Sequence, residues 1–388
     1  MPIQLSFEKK VILVKAQEDI DSLRKTSFGT MTDKKLVLQP EEAMYLMDVR
    51  NARCLDETGT EFSFNDLAEK FMGEGPKFLA RYLTYKDWRE RGLILRRVEE
   101  AKGPYKKNPV KKYPSREFSP QKYELDGLFF PEDRLTVVDD QTVGRELYET
   151  YWFGQYGSYK AEDRGKLLKF DPFETLFMAE HSGLKLRGYD NAKLKEALEE
   201  ETDFKSMYEV YEDWRLQGFI LKTGFKFGTH FRIYFPGAAP SKKGDTKEWA
   251  HSKHVIHVFP RTKRMIIAEW ARAIRVAHSV RKTFILAIPG RKSKATGTKP
   301  DFLLYHRKQG GIEVPDKDSP SYVMLSFSED EMIGGAELAD AIEEAKSLGL
   351  DLMLAIADRE TAVTYYRVKR IELPGSKYQY YEIEWAQP

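Results

Sequence analysis

Apolar side chains along the chain follow two periods, and their order defines two kinds of repeated segment. Residues 269–279 and 337–347 place Ala, Ile, Leu and Val at every third or fourth position, which predicts an amphipathic helix in each. A short apolar run typical of a buried strand follows each helix, at 284–288 and at 354–356. Because strands flank one helix, this segment, the C-half, is predicted to be α/β or α+β.

A second segment, the N-half, also occurs twice. Residues 82–95 and 208–221 share the pattern Y-x-x-Y-x-D-W-R-x-x-G-x-I-L. This pattern predicts a helix that ends at Gly92 in the first copy and at Gly218 in the second, before a short strand. The order along the chain is therefore N-half, N-half, C-half, C-half.

The order of the repeats predicts how the chain is divided. The predicted segments are a lone non-catalytic N-half at 1–101, a basic linker at 102–123, a complete catalytic unit at 124–295 (N-half 124–222, C-half 223–295) and a lone structural C-half at 296–388. We expect a mixed α/β fold with a central mixed sheet. The prolines and lysines of the linker disfavour helix and strand and predict a flexible tether.

Composition narrows the class of protein. Of 388 residues, 41% are hydrophobic, and no apolar run reaches the ~18 residues of a membrane span. The first residues lack a signal-peptide pattern, and Cys54 is the only cysteine, so we expect a cytoplasmic protein without intrachain disulfides. The formal net charge is +2, but the charge is segregated. The lysine-rich stretch 102–122 and the acidic stretch 329–360 favour binding to an acidic polymer and docking onto a second copy.

Three polar residues of the first C-half stand at the ends of successive elements: Tyr234, His251 and Lys282. Histidine donates a proton to a leaving oxygen near neutral pH, and lysine stabilises charge that builds on a phosphate. Tyrosine is a poor base unless a cation lowers its pKa, and Lys282 is the candidate cation. The trio needs no metal, and it suits RNA because the 2′-hydroxyl supplies the nucleophile.

The second C-half lacks two of these groups. By the spacing of the aligned helices, Ser319 stands in place of His251 and Leu350 in place of Lys282, whereas Tyr305 keeps the tyrosine. Each residue of the trio alone has an ordinary structural explanation, such as a lysine that complements a helix C-terminus. Their joint presence in one copy predicts one catalytic and one structural C-half.

The spacing of three histidines raises the alternative of a metal site. His251, His254 and His257 follow the spacing H-x-x-H-x-x-H. If 254–259 is a strand, His254 and His257 point to opposite faces. Neither cysteine nor carboxylate stands at ligand spacing nearby, so we expect neither a metal nor a cofactor.

Four sequence stretches together resemble the archaeal tRNA-splicing endonucleases. These are G-F-K-F-G at 224–228, F-x-x-Y at 231–234, H-S-K at 251–253 and R-V-A-H-S-V-R-K at 275–282. The chain departs from the family at His230, where aspartate is usual, and in the long loop 238–249.

The resemblance implies a three-unit homodimeric endonuclease that cuts precursor tRNA at bulge-helix-bulge elements without a metal. The products would carry a 2′,3′-cyclic phosphate and a 5′-hydroxyl. It implies that Tyr234 is the general base, His251 the general acid and Lys282 the stabiliser of the phosphorane. Arg275 matches an arginine that stacks on a bulge base.

Three further predictions concern RNA and partner contacts. The resemblance implies an acidic loop that docks between units, for which Asp358 and Glu360 are the candidates. The second N-half has an insertion around 159–163, which is either a tolerated surface loop or an RNA contact through Lys160. Two other functions stay open: a non-catalytic RNA-binding scaffold of the same fold, and a metal-dependent nuclease.

Overall fold

The computed structural model describes residues 2–73, 77–105, 109–159, 161, 163–240, 252–290 and 295–388. Helices and mixed β-sheets alternate over these ranges, which confirms the mixed α/β fold. Within them, none of the helices combines the length and the apolar character that crossing a lipid bilayer requires.

The first N-half consists of short strands and helices. Its strands are β1 (Gln4–Glu8), β2 (Val11–Val14), β3 (Thr30–Thr32), β4 (Lys35–Leu38), β5 (Arg53–Leu55), β6 (Glu61–Phe62) and β7 (Ile94–Arg97). Its helices are α1 (Gln17–Lys25), α2 (Pro40–Arg50), α3 (Phe64–Met72) and α4 (Phe78–Glu90). Strand β8 (Lys111–Lys112) lies in the linker.

The second N-half repeats this plan. Its strands are β9 (Leu125–Phe130), β10 (Leu135–Val138), β11 (Gln155–Tyr156), β12 (Leu168–Phe170), β13 (Leu184–Leu186) and β14 (Ile220–Thr223). Its helices are α5 (Gln141–Tyr151), α6 (Pro172–His181), α7 (Asn191–Glu199) and α8 (Phe204–Leu216). Each N-half has its own small sheet, ordered β3-β4-β2-β1-β5-β6 in the first and β11-β12-β10-β9-β13 in the second.

The C-halves contribute most of the central sheet. The first contains β15 (Phe231–Tyr234), β16 (His254–Val258), β17 (Arg264–Ile266), α9 (Ile267–Ser279) and β18 (Thr283–Ala287). The second contains β19 (Phe302–Tyr305), β20 (Arg307–Lys308), β21 (Gly311–Ile312), β22 (Tyr322–Ser328), β23 (Met332–Gly334), α10 (Gly335–Ser347), β24 (Asp351–Ala357), β25 (Val363–Glu372) and β26 (Tyr380–Ala386). The central sheet has the order β14-β15-β16-β18-β26-β25-β24-β22-β19-β7, and β8 pairs with β25.

The central sheet reads as two matching sets of strands that meet at the β26–β25 pair. Outward from that pair, β18 matches β24, β16 matches β22, β15 matches β19 and β14 matches β7. Tyr234 lies opposite Ile220 in one set, and Tyr305 lies opposite Ile94 in the other. The register therefore agrees with the alignment of the two C-halves and relates the sets by an approximate two-fold axis.

Strand pairing also joins segments that the repeats leave without partners. β7 of the first N-half pairs antiparallel with β19 of the last C-half, as β14 pairs with β15. β26, the last strand of the chain, pairs with both β18 and β25 and so contacts both C-halves. The boundaries of the predicted segments themselves stay a prediction.

The D-W pair of the N-half repeat anchors the two innermost strands. The hydroxyl of Tyr380 on β26 donates to Asp213 at 2.7 Å, and the hydroxyl of Tyr365 on β25 donates to Asp87 at 2.6 Å. The tryptophan that follows each aspartate packs edge-on against the same tyrosine ring. Leaving such a buried hydroxyl unpaired costs about 1–3 kcal/mol, so each contact stabilises the packing of an N-half helix on the sheet. Both helices, α8 and α4, lie on the same face of the sheet.

The linker differs from the flexible tether that its composition predicts. Lys111 and Tyr113 both donate to Glu382 of β26 at 2.6 Å, and the backbone N–H of Arg116 donates to the carbonyl of Gln217 at 2.9 Å. The carboxylate of Glu382 is buried, and a buried carboxylate is costly unless it is paired. Because Lys111 and Tyr113 supply its partners, these contacts hold the linker against the central sheet. Over residues 109–122 the linker is therefore a bound strap.

Two layers of helices cover the central sheet. α9 and α10 share one apolar core on one face, whereas α8 and α4 pack into separate cores on the other. Alternation along β16 serves both layers, because Val255 belongs to the first core and Ile256 to that of α8.

Candidate active site

Tyr234 closes β15 on the face away from the α8 core. Arg232 and Tyr234 share this face because side chains two apart on a strand point the same way. The tyrosine ring packs against Trp152 with ring centres 4.5 Å apart, and 7% of the residue stays exposed. Arg232 Nη1 donates to the Tyr234 hydroxyl at 3.4 Å. Burial raises the pKa of Tyr234, and the positive charge of Arg232 opposes that rise.

Lys282 is placed by the end of α9. Arg281 adopts a left-handed backbone with φ of 56°, and the N–H of Lys282 donates to the carbonyl of Ala277 at 2.9 Å. This 6→1 bond closes the helix in the manner of a Schellman turn. The side chain then leaves the helix end, and its ammonium group lies 4.6 Å from the ring centre of Phe227. Partial burial lowers the pKa of Lys282, and Arg232 lowers it further.

Ser252 joins the tyrosine to the lysine. The ammonium group of Lys282 donates to Ser252 Oγ at 2.9 Å and also to the Ser252 backbone oxygen. A hydrogen bond between Ser252 and the hydroxyl of Tyr234 lowers the pKa of the tyrosine. Two of the predicted site residues thus meet at a side chain that is 6% exposed. His251, the third, immediately precedes Ser252 but lies outside the described residues.

Sequence reasoning missed Arg232 and Ser252. The cation that acts on the Tyr234 hydroxyl is Arg232 and not Lys282, and the net effect of the surroundings is to raise the tyrosine pKa. Spacing contained a signal for each: Arg232 stands two residues before the tyrosine on the same strand, and Ser252 adjoins His251. What spacing does not contain is the approach of β15, β16 and the end of α9.

The histidines of β16 lie on opposite faces, as strand alternation predicts. His254 stacks on Phe235 with ring centres 4.9 Å apart, and His257 stacks on Phe284 at 5.9 Å. Burial lowers the pKa of His254 to about 4 and that of His257 to about 3. Both rings are therefore neutral packing groups at pH 7.

The side chain of His230 accepts a hydrogen bond from the backbone, as Asp301 does at the matching position of the other C-half. Its Nδ1 accepts the N–H of Val258 at 2.9 Å. In the other C-half, Asp301 Oδ2 accepts the equivalent N–H of Ser326 at 2.7 Å. The departure from aspartate at this position thus replaces one acceptor by another.

The matching position in the last C-half lacks the polar contacts. In both halves the strand after the helix begins opposite the same position of its neighbour, so Leu350 stands where Lys282 does and Pro320 where Ser252 does. Leu350 is 7% exposed and belongs to the apolar core. Burial raises the pKa of the remaining Tyr305 to about 12.

The residues predicted for RNA and unit contacts occupy different places. Arg275 is exposed on α9, where its Nη1 donates to the Tyr366 hydroxyl at 3.4 Å. Lys160 lies outside the described residues. Asp358 and Glu360 lie in the turn between β24 and β25, and Asp358 Oδ1 accepts the N–H of Glu360 at 2.9 Å. Glu360 itself is exposed.

One group among the described residues has donors close enough for a metal: Glu180, His181 and Glu212. Its donors are already engaged. His181 Nε2 lies 2.8 Å from Glu212 Oε1, and Glu180 pairs with Lys195 and accepts the hydroxyl of Tyr208. These partners balance the carboxylates without an ion.

Comparison with known proteins places the chain among RNA-processing enzymes. A family described as tRNA intron endonuclease, catalytic C-terminal domain, matches residues 204–297, and the family of the N-terminal domain matches residues 3–68. The first match contains the positions of Tyr234, His251 and Lys282.

Three curated relatives illustrate the extent of the similarity. The tRNA-splicing endonuclease of Methanothermobacter thermautotrophicus is 30% identical over 158 residues, which cover 40% of this chain and 85% of the relative. That of Methanococcoides burtonii is 26% identical over 325 residues, or 67% of this chain and 88% of the relative. That of Methanopyrus kandleri is 31% identical over 138 residues, or 34% and 71%. This chain belongs to the tRNA intron endonuclease family.

Proposed function

We propose that this chain is a tRNA-splicing endonuclease that removes introns from precursor tRNA by metal-independent cleavage at bulge-helix-bulge elements. The observation that carries the proposal is the meeting of Tyr234 and Lys282 at Ser252, the residue next to His251. Family membership supports the substrate class. With His251 as the proposed general acid, these residues would supply the general base, the general acid and the cation that RNA cleavage through the 2′-hydroxyl needs.

The reaction follows from these roles. Tyr234 takes the proton of the 2′-hydroxyl, and the 2′-oxygen forms a bond to the adjacent phosphorus. Lys282 stabilises the charge on the phosphorane oxygens. His251 gives a proton to the 5′-oxygen as the bond between phosphorus and that oxygen breaks. The products are a 2′,3′-cyclic phosphate and a 5′-hydroxyl.

Arg232 has a supporting role in this scheme. Burial favours the neutral form of Tyr234, so the residue needs help to act as a base. The guanidinium group of Arg232 at 3.4 Å stabilises negative charge on the hydroxyl oxygen, and the Ser252 hydrogen bond does the same. The cleavage rate should therefore rise with pH on the alkaline side.

We infer one catalytic site per chain, in the unit at 124–295, with the segment at 296–388 as its structural counterpart. Two cuts then require two chains, so the active form is a homodimer. The exposed Glu360 and its neighbour Asp358 are the acidic groups proposed to dock on the other copy. Arg275, exposed on α9, and Lys160 are proposed to contact the RNA.

A cleavage assay in EDTA tests the proposal. Wild-type protein should cut a precursor tRNA that contains a bulge-helix-bulge element, and the products should carry cyclic phosphate ends. Substituting the 2′-hydroxyl next to the cut site by hydrogen should abolish cleavage, because the nucleophile is removed. Binding without cleavage under every condition would favour an RNA-binding scaffold, and cleavage that EDTA abolishes would favour a metal-dependent nuclease.

A further inference from the structure

The ring of Phe225 is exposed to an unusual degree. It is 86% accessible, the largest value for a large hydrophobic side chain in the described part of the chain. Exposing a phenyl ring forgoes about 1.5–3 kcal/mol of burial. The positions that match 225–227 ahead of β19 hold Thr296, Gly297 and Thr298, so this feature belongs to the first C-half alone.

The backbone holds this ring in place. Phe225–Phe227 is a 3₁₀ turn, in which the N–H of Phe227 donates to the carbonyl of Gly224 at 2.8 Å. The N–H of Gly224 in turn donates to the carbonyl of His230 at 2.8 Å. A Cβ at Gly224 would lie 2.6 Å from the Thr229 carbonyl oxygen, so the close approach needs glycine here.

The turn adjoins the candidate active site. Phe227, two residues after the exposed ring, contacts the ammonium group of Lys282. Lys226 Nζ lies 5.2 Å from the ring centre of Tyr159, and Tyr159 is close enough to Tyr234 to raise its pKa. An exposed aromatic ring and a lysine thus stand beside the tyrosine and the lysine of the site.

We propose that Phe225 is a stacking platform for one unpaired base of the RNA, next to the cleaved phosphate, and that Lys226 pairs with a neighbouring phosphate. The inference rests on the proposed function and names how that site receives its substrate. Unpaired bases stack on aromatic side chains, and lysines follow the phosphate backbone. Lys226 beside the ring suits a polyanion and would disfavour an apolar protein surface.

The test measures binding of a precursor tRNA whose 2′-hydroxyl at the cut site is replaced by hydrogen. Phe225→Ala should weaken binding by about 5- to 140-fold, the range of one base–aromatic stack. Phe225→Trp should bind like the wild type, because it keeps a stacking surface. Phe130→Ala removes another exposed phenyl ring, on β9, and should change nothing.

Removing single bases from the RNA identifies the base that stacks on Phe225. An abasic substitution at each unpaired nucleotide in turn should weaken wild-type binding at one position and leave Phe225→Ala unaffected at that same position. Equal losses for both proteins at every position, or unchanged binding by Phe225→Ala, would overturn the platform. Cleavage of the unmodified precursor by wild-type protein is measured in parallel. If the wild-type protein failed to cleave this precursor, the proposed function would be wrong. If cleavage were normal and Phe225→Ala bound the RNA as tightly as the wild type, only the stacking role of Phe225 would be wrong.

Discussion

The two C-halves share one backbone plan and differ in the polar groups at its strand ends. In both, a strand, a helix and a second strand follow in the same register, and helices α9 and α10 share one core. In the first half, Ser252 and Lys282 precede the two strands and bind each other. In the second half, Pro320 and the buried Leu350 stand at the matching positions.

Polar contacts that hold the fold are present in both units. Lys222 pairs with Glu174 at 2.6 Å in one N-half, and Arg96 pairs with Glu42 at 3.7 Å in the other. In each case the same glutamate also accepts a backbone N–H at 2.9 Å. Scaffold contacts of this kind are thus shared by the two N-halves, whereas the contact between Ser252 and Lys282 is made in the first C-half and is replaced in the second, as expected if those two groups serve chemistry.

Among substitutions that distinguish the two C-halves, replacing His251 by alanine should lower the cleavage rate most. Loss of a general acid slows cleavage by roughly 10²–10⁴-fold while RNA binding stays nearly intact. Single-turnover cleavage of a precursor tRNA measures the rate. The matched variant Ser319→Ala in the other half should cleave at the wild-type rate.

A sulfur leaving group makes the role of His251 explicit. A substrate with sulfur in place of the 5′-oxygen needs little protonation as it leaves, so His251→Ala should cleave it almost as fast as the wild type does. An equally large defect on that substrate would assign His251 a role other than proton donation.

Lys282→Ala should slow cleavage by about 10²–10³-fold, the usual cost of losing one group that stabilises an oxyanion. Lys282→Arg, which keeps the charge, should recover part of the rate. Leu350→Met at the matching position conserves volume in an apolar core and should leave the rate unchanged. An equal loss from Leu350→Met would show that both halves contribute to catalysis.

Some of this arrangement could be predicted from the sequence, and some could not. Spacing from the aligned helices predicted that Leu350 matches Lys282, because helix and strand lengths are the same in both copies. The position of β26 was beyond such reasoning, since its pairing with β18 joins residues about a hundred positions apart with no local signal. The strap at Lys111 was missed for a related reason: its partner Glu382 lies on the last strand.

His230→Asn should change how stability depends on pH. Burial lowers the pKa of His230 to about 4, so its contribution is complete above about 6.5 and is lost as pH falls towards 4. Asparagine keeps an acceptor for the Val258 N–H without titrating. Between pH 7 and pH 5, the wild type should lose about 2 kcal/mol of unfolding free energy that the variant retains, as measured by urea unfolding.

Asp301→Asn is the opposite test in the other half. Burial raises the pKa of Asp301 to about 6, so its contribution is complete below about 3.8 and is lost as pH rises through 6. The wild type should therefore lose stability relative to this variant as pH rises from 4 to 6. For each variant, the difference in unfolding free energy between wild type and variant is followed with pH. If this difference changed in the same direction with pH for His230→Asn and for Asp301→Asn, the assignment of these two acceptors would be wrong.

Ser252→Ala should have the smallest effect, a slowing of about tenfold. The variant loses the Oγ contact with Lys282 but keeps the backbone oxygen, so the lysine stays near its place. One hydrogen bond to a charged group is worth about 1.5–3 kcal/mol, and the remaining contact favours the lower end. Ser279→Ala, which removes an exposed hydroxyl on α9, is the matched control.

The pH profile of Ser252→Ala separates its two contacts. The serine hydrogen bond lowers the pKa of Tyr234, so its loss raises that pKa further and should move the alkaline limb of the rate profile to higher pH. A tenfold slowing at every pH, with no shift of the limb, would mean that Ser252 acts through Lys282 alone. If the alkaline limb of the rate profile also shifted in Ser279→Ala, the shift would not be specific to Ser252.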